Sequence, residues 1–427
     1  MPSPRARAAK AGTGTIRINN GAGIRIEAAN GTNSNFAAGQ QVLASSVPLV
    51  LSRIDIRGNQ TVVTQTSGNF GFIHPDSYGI LGLEVSWGDA SNSLNMAAIG
   101  NGRMYLAADQ AAASYTANAL GAGASNQYGG SNLVNIYRLG TGAQTLTLAP
   151  VTAASTVLVD PAGGFTAKVY VGNMSTNSSG SVTFNQTNTY SAGTVVMPTI
   201  GATNATATIT TGGANTPLGT GQVDVFGLLT ASGAAGSFLN GAGTANSNAI
   251  VLHPGSTLTL TNTGVAAINR WADTQDIGLN GATFSLVAGT ASTTETVGSI
   301  TFDRGARINL NANAQQITLN QSATKTLTRG TNGTLVFNNS AAGRLGLAPA
   351  TNSERFLVNS SIRRTLPART CCPATTSPAP ITDSSLTAAP TVSRPSPTVP
   401  CWPPVRTSTP RRSHRLRSST WRPRTPR

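Results

Sequence analysis

Between Ile16 and Phe337 the chain repeats one short pattern: apolar, small polar, apolar, then a turn rich in Gly or Asn. Ile16-x-Ile18 and Ile24-x-Ile26 open the series, and Leu146-x-Leu148, Val182-x-Phe184 and Val223-x-Val225 continue it. Beyond residue 255 it becomes dense, with Leu258-x-Leu260, Phe284-x-Leu286, Ile300-x-Phe302, Ile308-x-Leu310, Ile317-x-Leu319 and Leu335-x-Phe337. A period of two puts alternate side chains on opposite faces of a strand. The Gly and Asn between runs accept the positive φ of tight turns, and with Thr and Ser they weaken any helix. An all-β chain is expected. A sandwich would close within about 100–200 residues, whereas this series does not stop. The continuity points to a parallel β-helix, a solenoid whose coils stack around a narrow apolar interior. With roughly 20–25 residues per coil and coils about 4.8 Å apart, the rod would be about 70–90 Å long. Phe184, Phe226, Phe284, Phe302 and Phe337 lie in or beside strand-patterned runs and are assigned to coil packing. One Ala-rich segment, Met104–Leu120, reads instead as a helical lateral excursion.

Composition divides the 427 residues in two. Residues 1–360 hold all 46 Gly, 17 of the 29 basic residues, 13 of the 14 acids and no Cys, a net of +4. Residues 361–427 hold 12 Arg, one Asp, 13 of the 23 Pro and all three Cys, and supply +11 of the +15 total. Residues 1–12 form a short basic N-terminus expected to be disordered. Residues 13–360 form the β-helical body, and 361–427 a disordered Pro/Arg-rich tail. No apolar stretch is long enough to span a membrane as a helix. Arg5, Arg7 and Lys10 are not followed by the apolar core of a secretory signal.

The body offers little for chemistry. Thirteen acids over 360 residues are sparse for a polysaccharide-cleaving site, which needs two or three carboxylates close together. After residue 250 only Asp273 and Asp276 lie close in sequence; Asp273 reads as a turn cap paired with Arg270, and Glu295 and Asp303 as solvated turn residues. His74 and His253 stand apart, each before a Pro in a turn, with no partner at metal-binding spacing. There is no Gly-x-Ser-x-Gly elbow, phosphate loop, dinucleotide fingerprint or calcium nonapeptide. No catalytic residue, cofactor or metal is assigned.

Three stretches carry a resemblance. Gly180–Val196 (GSVTFNQTNTYSAGTVV) combines a strand through Phe184, a turn around Asn188, Tyr190 and Gly193, and a second strand. Leu218–Gly227 places Leu218, Gly219 and Gly221 ahead of Val223-x-Val225. Gly255–Gly281 includes Asn269-Arg270-Trp271-x-Asp273 and closes on Asn280-Gly281. Together they resemble the autotransporter-associated β-strand repeat family of bacterial surface proteins, most clearly over 180–340. Ala192 replaces a usual Gly, and Trp271 a commoner Leu. The resemblance implies a right-handed parallel β-helix passenger region, secreted or displayed at the cell surface or outer membrane. It assigns structural roles to the repeat residues and no catalysis. It also implies an unknown surface or matrix ligand, such as a glycan or a host or neighbouring cell, and contact with outer-membrane export machinery.

The tail lacks Gly, Asn and Lys altogether. At face value its arginines, with Trp402 and Trp421, would bind RNA, DNA or an acidic membrane electrostatically. Read through the genetic code one nucleotide out of frame, Cys371–Thr376 permits Leu-Leu-Pro-Gly-Tyr-Tyr and Pro380–Ser385 permits Thr-Asn-Asn-Gly-Phe-Phe. That text restores the missing Gly and Asn and is similar to the family's continuation. The expectation is a frame slip between Asn359 and Ala368, and a fragment of a larger protein whose signal and anchor lie elsewhere. The expected function is a non-catalytic, structural or adhesin-like surface rod with nucleic acid not among its partners. The alternatives are a β-helical carbohydrate-active enzyme or, with a genuine tail, a nucleic-acid binder.

Overall fold

The structure is a computed structural model that describes residues 14–26, 40–46, 50–57, 70–123, 135–140, 142–152, 155–172, 181–198, 205–210, 217–238, 250–265, 269–340, 344–345 and 353–358. The basic N-terminus and the tail from residue 361 lie outside the described residues, and so do all three cysteines. Each alternating run named above forms a strand, from Ile16–Asn19 to Leu335–Asn339. The strands stack in parallel as a β-solenoid. A 12-stranded sheet runs from Gly23–Ile26 to Leu327–Arg329, and a 9-stranded sheet from Ala113–Tyr115 to Leu335–Asn339. A third sheet of three strands joins them in the later coils: Thr293–Val297, Ile317–Gln321 and Glu354–Leu357.

Register follows the apolar pattern. Leu139, Val171, Val196, Val225, Leu252, Leu279 and Phe302 form one inward column of the 12-stranded sheet. Leu146, Val182, Ala207, Leu229, Leu258, Phe284 and Ile308 form the facing column of the 9-stranded sheet. A slip of one residue would turn either column to solvent, so the buried pattern locks the register. Burying each large side chain stabilises by about 1.5–3 kcal/mol. The outward column of the 9-stranded sheet is Ser114, Thr147, Thr183, Thr208, Thr230, Thr259, Ser285, Asn309 and Asn338. Every position is Ser, Thr or Asn.

Most coils are longer than the expected 20–25 residues. Leu279 pairs with Phe302, 23 residues on, but Val225 pairs with Leu252, 27 on, and Leu106 with Leu139, 33 on. Twelve strands therefore span only about 50 Å, less than the 70–90 Å expected from shorter coils. The loops between strands take the extra residues.

The segment Met104–Leu120 is not helical. It forms strands Tyr105–Ala108, Ala113–Tyr115 and Leu120–Gly121. Its alanines are small because the site is crowded. Ala107 is buried against Leu51 and Ile80 on the outer side of the sheet, and Ala117 lies where any Cβ on Gly88 would strike it. Tyr115 anchors the turn that follows: its hydroxyl donates to the Ala119 carbonyl at 2.6 Å and accepts from the Leu94 amide at 2.9 Å. Sheet pairing and this burial override the helix propensity of alanine. Among the described residues no helix is long and apolar enough to cross a membrane.

Candidate functional site

Most of the repeat-like residues are buried, and the buried ones at coil corners are occupied by contacts within and between coils. Phe184 closes its strand inside the core. Asn188 is fully buried: its side-chain oxygen accepts the Leu158 amide at 3.0 Å, and its Nδ2 donates to the Pro217 carbonyl at 2.7 Å. One asparagine thus ties the coil before it to the coil after it. Tyr190 is buried beside Tyr137, with its hydroxyl on Thr194. Burial holds its proton far above the ordinary range, so it is a neutral hydrogen-bonding group. Leu218 is buried at the same corner. Gly193 and Gly219 have φ of 95° and 68°, and a Cβ on Gly219 would strike the Tyr190 carbonyl. A Cβ on Gly221 would strike the Gly193 backbone, so glycine stacks on glycine at this corner.

A second knot forms around Arg270. The residue is fully buried, with Nε donating to Asn262 Oδ1 at 2.7 Å, Nη2 to the Gly233 carbonyl at 2.8 Å and Nη1 to the Gly236 carbonyl. Glu295, from the next coil, accepts the Trp271 amide at 2.8 Å and the Arg270 amide at 3.0 Å. Burial raises the Glu295 carboxyl to about 8 against the opposing pull of those two amides. Trp271 packs edge-on to Phe238 and Phe284 and donates its indole N–H to the Gln275 carbonyl. Two expectations are corrected. Glu295 is a core residue rather than a solvated turn residue, because it satisfies amides that the bend at 270–271 turns inward. Asp273 is exposed and does not pair with Arg270, whose guanidinium faces the preceding coil. Asn269 is exposed, Asn280 is half-buried at a strand end, and Gly281 takes the turn with φ of 64°. Asp303 caps turns, accepting the amides of Arg304 and Asn332.

Buried charge of a different kind lies on the outer face of the first coils. Arg25, Asp55, Gly82 and Ala107 share one outward column. Arg25 Nε meets Glu84 Oε1 at 2.5 Å, and Arg53 Nη1 meets Asp109 Oδ2 at 3.2 Å. Asp55, Glu84 and Asp109 are each under a tenth exposed. Gly82 makes the juxtaposition possible, since a Cβ there would press on Asp55 Oδ1 and on the Asp109 Cβ. Burial, and next the neighbouring Asp109, push the Asp55 carboxyl up to about 7, while Arg53 and Arg25 pull it down. Its Oδ1 accepts no hydrogen bond. Chemically, the group joins one carboxyl that holds a proton near neutrality to two carboxylates paired with arginine. The sequence hid this cluster because its members lie on four coils, from residue 25 to residue 109. The only local signal is a charged residue within or just past each of these strands: Arg25, Arg53 and Asp55, Glu84, and Asp109.

A third group lies outside the 12-stranded sheet. His253 Nε2 meets Asp224 Oδ1 at 3.0 Å, and Gln222 donates to the same oxygen at 2.9 Å. Phe226 stacks on the His253 ring at 3.9 Å and is 36% exposed. Phe226 therefore packs between coils on the outer face, because the alternation simply continues: Val223 and Val225 point inward, Asp224 and Phe226 outward. His253 is correspondingly not isolated; its partner comes from the preceding coil. His74 sits in the expected turn, its Nδ1 accepting the Asp76 amide. Among the described residues no three His, Cys, Asp or Glu side chains stand close enough to hold a metal ion.

No family model, curated protein or solved structure matches the chain significantly.

Proposed function

We propose that the chain is a non-catalytic, adhesin-like or structural rod of a secreted or cell-surface protein, of the autotransporter passenger kind. One observation carries this reading. The polar residues of the strongest sequence pattern are buried within the stack: Asn188 and Arg270 hydrogen-bond from one coil to the next, and Tyr190 packs on Tyr137 of the preceding coil. A chain selected for chemistry would direct such groups toward a substrate; here they serve the stack. Its partner on this reading is a surface or matrix ligand, and its assembly requires outer-membrane export machinery. The test is antibody labelling of intact cells that express the gene with its native flanks. Labelling of unbroken cells supports the proposal. A signal seen only after lysis, with the chain in the cytosolic fraction, contradicts it.

The charged cluster favours a second reading, a carbohydrate-active β-helix. A carboxyl protonated near neutrality close to two other acidic side chains resembles the arrangement of an acid–base pair. Yet Asp55, Glu84 and Asp109 are buried, and two arginines neutralise them. Cleavage of any member of a polysaccharide panel, lost in Asp55→Asn, would establish this alternative.

A further inference from the structure

The outer face of the 9-stranded sheet carries a ladder of small polar residues in register. Two outward positions, two residues apart, recur on six successive strands there. They read Thr145 and Thr147, Ser181 and Thr183, Thr206 and Thr208 on three successive rungs. Leu228 and Thr230, Thr257 and Thr259, Thr283 and Ser285 follow on the next three. Of these twelve positions one is not a hydroxyl residue and none is charged; the two five-residue strands add a third outward pair, Thr261 and Val287, also uncharged. The first charge is Arg307, one rung later. The pairs are half-buried by their neighbours above and below. Threonine is stiff at χ1, so such a column holds hydroxyl and methyl groups in a repeated, preorganised arrangement.

The chemistry of this face narrows its occupant. A nucleic acid needs cations, a divalent metal needs carboxylates, and neither occurs on the six rungs. A stacked sugar or base needs an aromatic platform, and none of the outward residues is aromatic. What the face offers is a two-dimensional lattice of hydroxyls, about 4.8 Å between rungs and about 6.7 Å between pair members. Water bonded tetrahedrally at about 2.75 Å places next-nearest oxygens about 4.5 Å apart and repeats its layers at about 7.3 Å. The two lattices agree to within about a tenth in each direction. A frozen lattice is periodic in both directions, so many weak contacts form at once, whereas liquid water offers no such register.

We propose that this hydroxyl face binds the surface of ice. The inference is independent of where the chain resides. The test uses the purified full chain and its Thr208→Lys/Thr230→Lys and Thr208→Tyr variants. Thr301→Lys, an exposed change on the 12-stranded sheet, is the control. Circular dichroism confirms folding, and crystal shaping with inhibition of ice recrystallisation is the readout. The folded parent and the control should shape crystals and inhibit recrystallisation equally, with the ladder variants weaker by about an order of magnitude. A folded parent without effect on ice, or folded ladder variants as active as the parent, overturns the proposal. Sedimentation of the same proteins identifies the rival occupant: a parent that dimerises through this face without acting on ice assigns the ladder to a second copy and also overturns it.

Discussion

The coils before residue 123 and those after residue 135 share an inner face and differ on the outer one. Inside, both stack aliphatic residues in register, Ile54 on Leu81 and Leu106 early, Leu252 on Leu279 and Phe302 late. Outside, the early coils carry a second apolar cluster of Leu51, Ile80 and Ala107, together with the buried acids Asp55, Glu84 and Asp109 and the half-buried Arg53. The later coils expose a ladder of Thr, Ser and Asn. The difference separates two tasks of a solenoid. An inward column is the same requirement at every coil, so it repeats; an outward face is free to vary, and the early coils have used that freedom. The later coils keep their polar knots inside instead, at Asn188 and Arg270.

That contrast is open to direct attack. Arg270→Ala should have the largest effect, because it strips the Gly233 and Gly236 carbonyls and Asn262 of their donor in a closed core. The expected loss is about 3–5 kcal/mol in denaturant unfolding. Hydrogen exchange should place the damage in coils around residues 233–297 and leave those before 123 protected. Equal loss of protection in both regions would mean that the stack melts as one unit. Gly82→Ala makes the converse test. Its added methyl crowds Asp55 and Asp109, and overpacking of this sort costs about 1–3 kcal/mol. Its exchange signature should stay within the early coils.

The smallest effect is on pH dependence, and both regions contribute. Asp55 and Glu295 hold their protons to about 7 and about 8 in the folded chain, against 3.8 and 4.5 without burial. Between those limits the folded chain retains protons that the unfolded chain has released, so stability falls as pH rises from about 4 to 8. Asp55→Asn and Glu295→Gln should each remove part of that slope, measured as unfolding free energy against pH. A profile that rises over this range, or variants that leave it unchanged, would contradict the assignment.

Much of this architecture was legible from alternation alone. Thr257–Thr261 and Thr283–Val287 show strict in–out burial, and any reading of their sequences gives strands. Tyr105–Ala108 was not legible, since its alanines fit helix locally and become strand only through pairing with Ile80–Leu83 and Leu139. Glu295 was misplaced for a related reason: nothing near it in sequence shows that two amides from residues 270 and 271 wait for its carboxylate. The charged group on the early coils was hidden more deeply, because Arg25, Asp55 and Asp109 become neighbours only when coils of unequal length are stacked. Contacts along a strand can be read from sequence; contacts between coils require the register.

Register is thus the central claim, and a pair of introduced thiols tests it. Thr208 and Thr230 are in-register neighbours on the outer ladder, whereas Leu229, adjacent to Thr230, points inward. The described body contains no cysteine, and Cys371, Cys372 and Cys401 are replaced by Ser for this experiment. Neighbouring strands lie about 4.8 Å apart, within the Cα separation a disulfide spans. The Thr208→Cys/Thr230→Cys protein should therefore close its disulfide rapidly under mild oxidation, while the Thr208→Cys/Leu229→Cys protein should not. If the in-register pair of thiols stays reduced in the folded protein, or the slipped pair closes as fast, the parallel, in-register stack is contradicted.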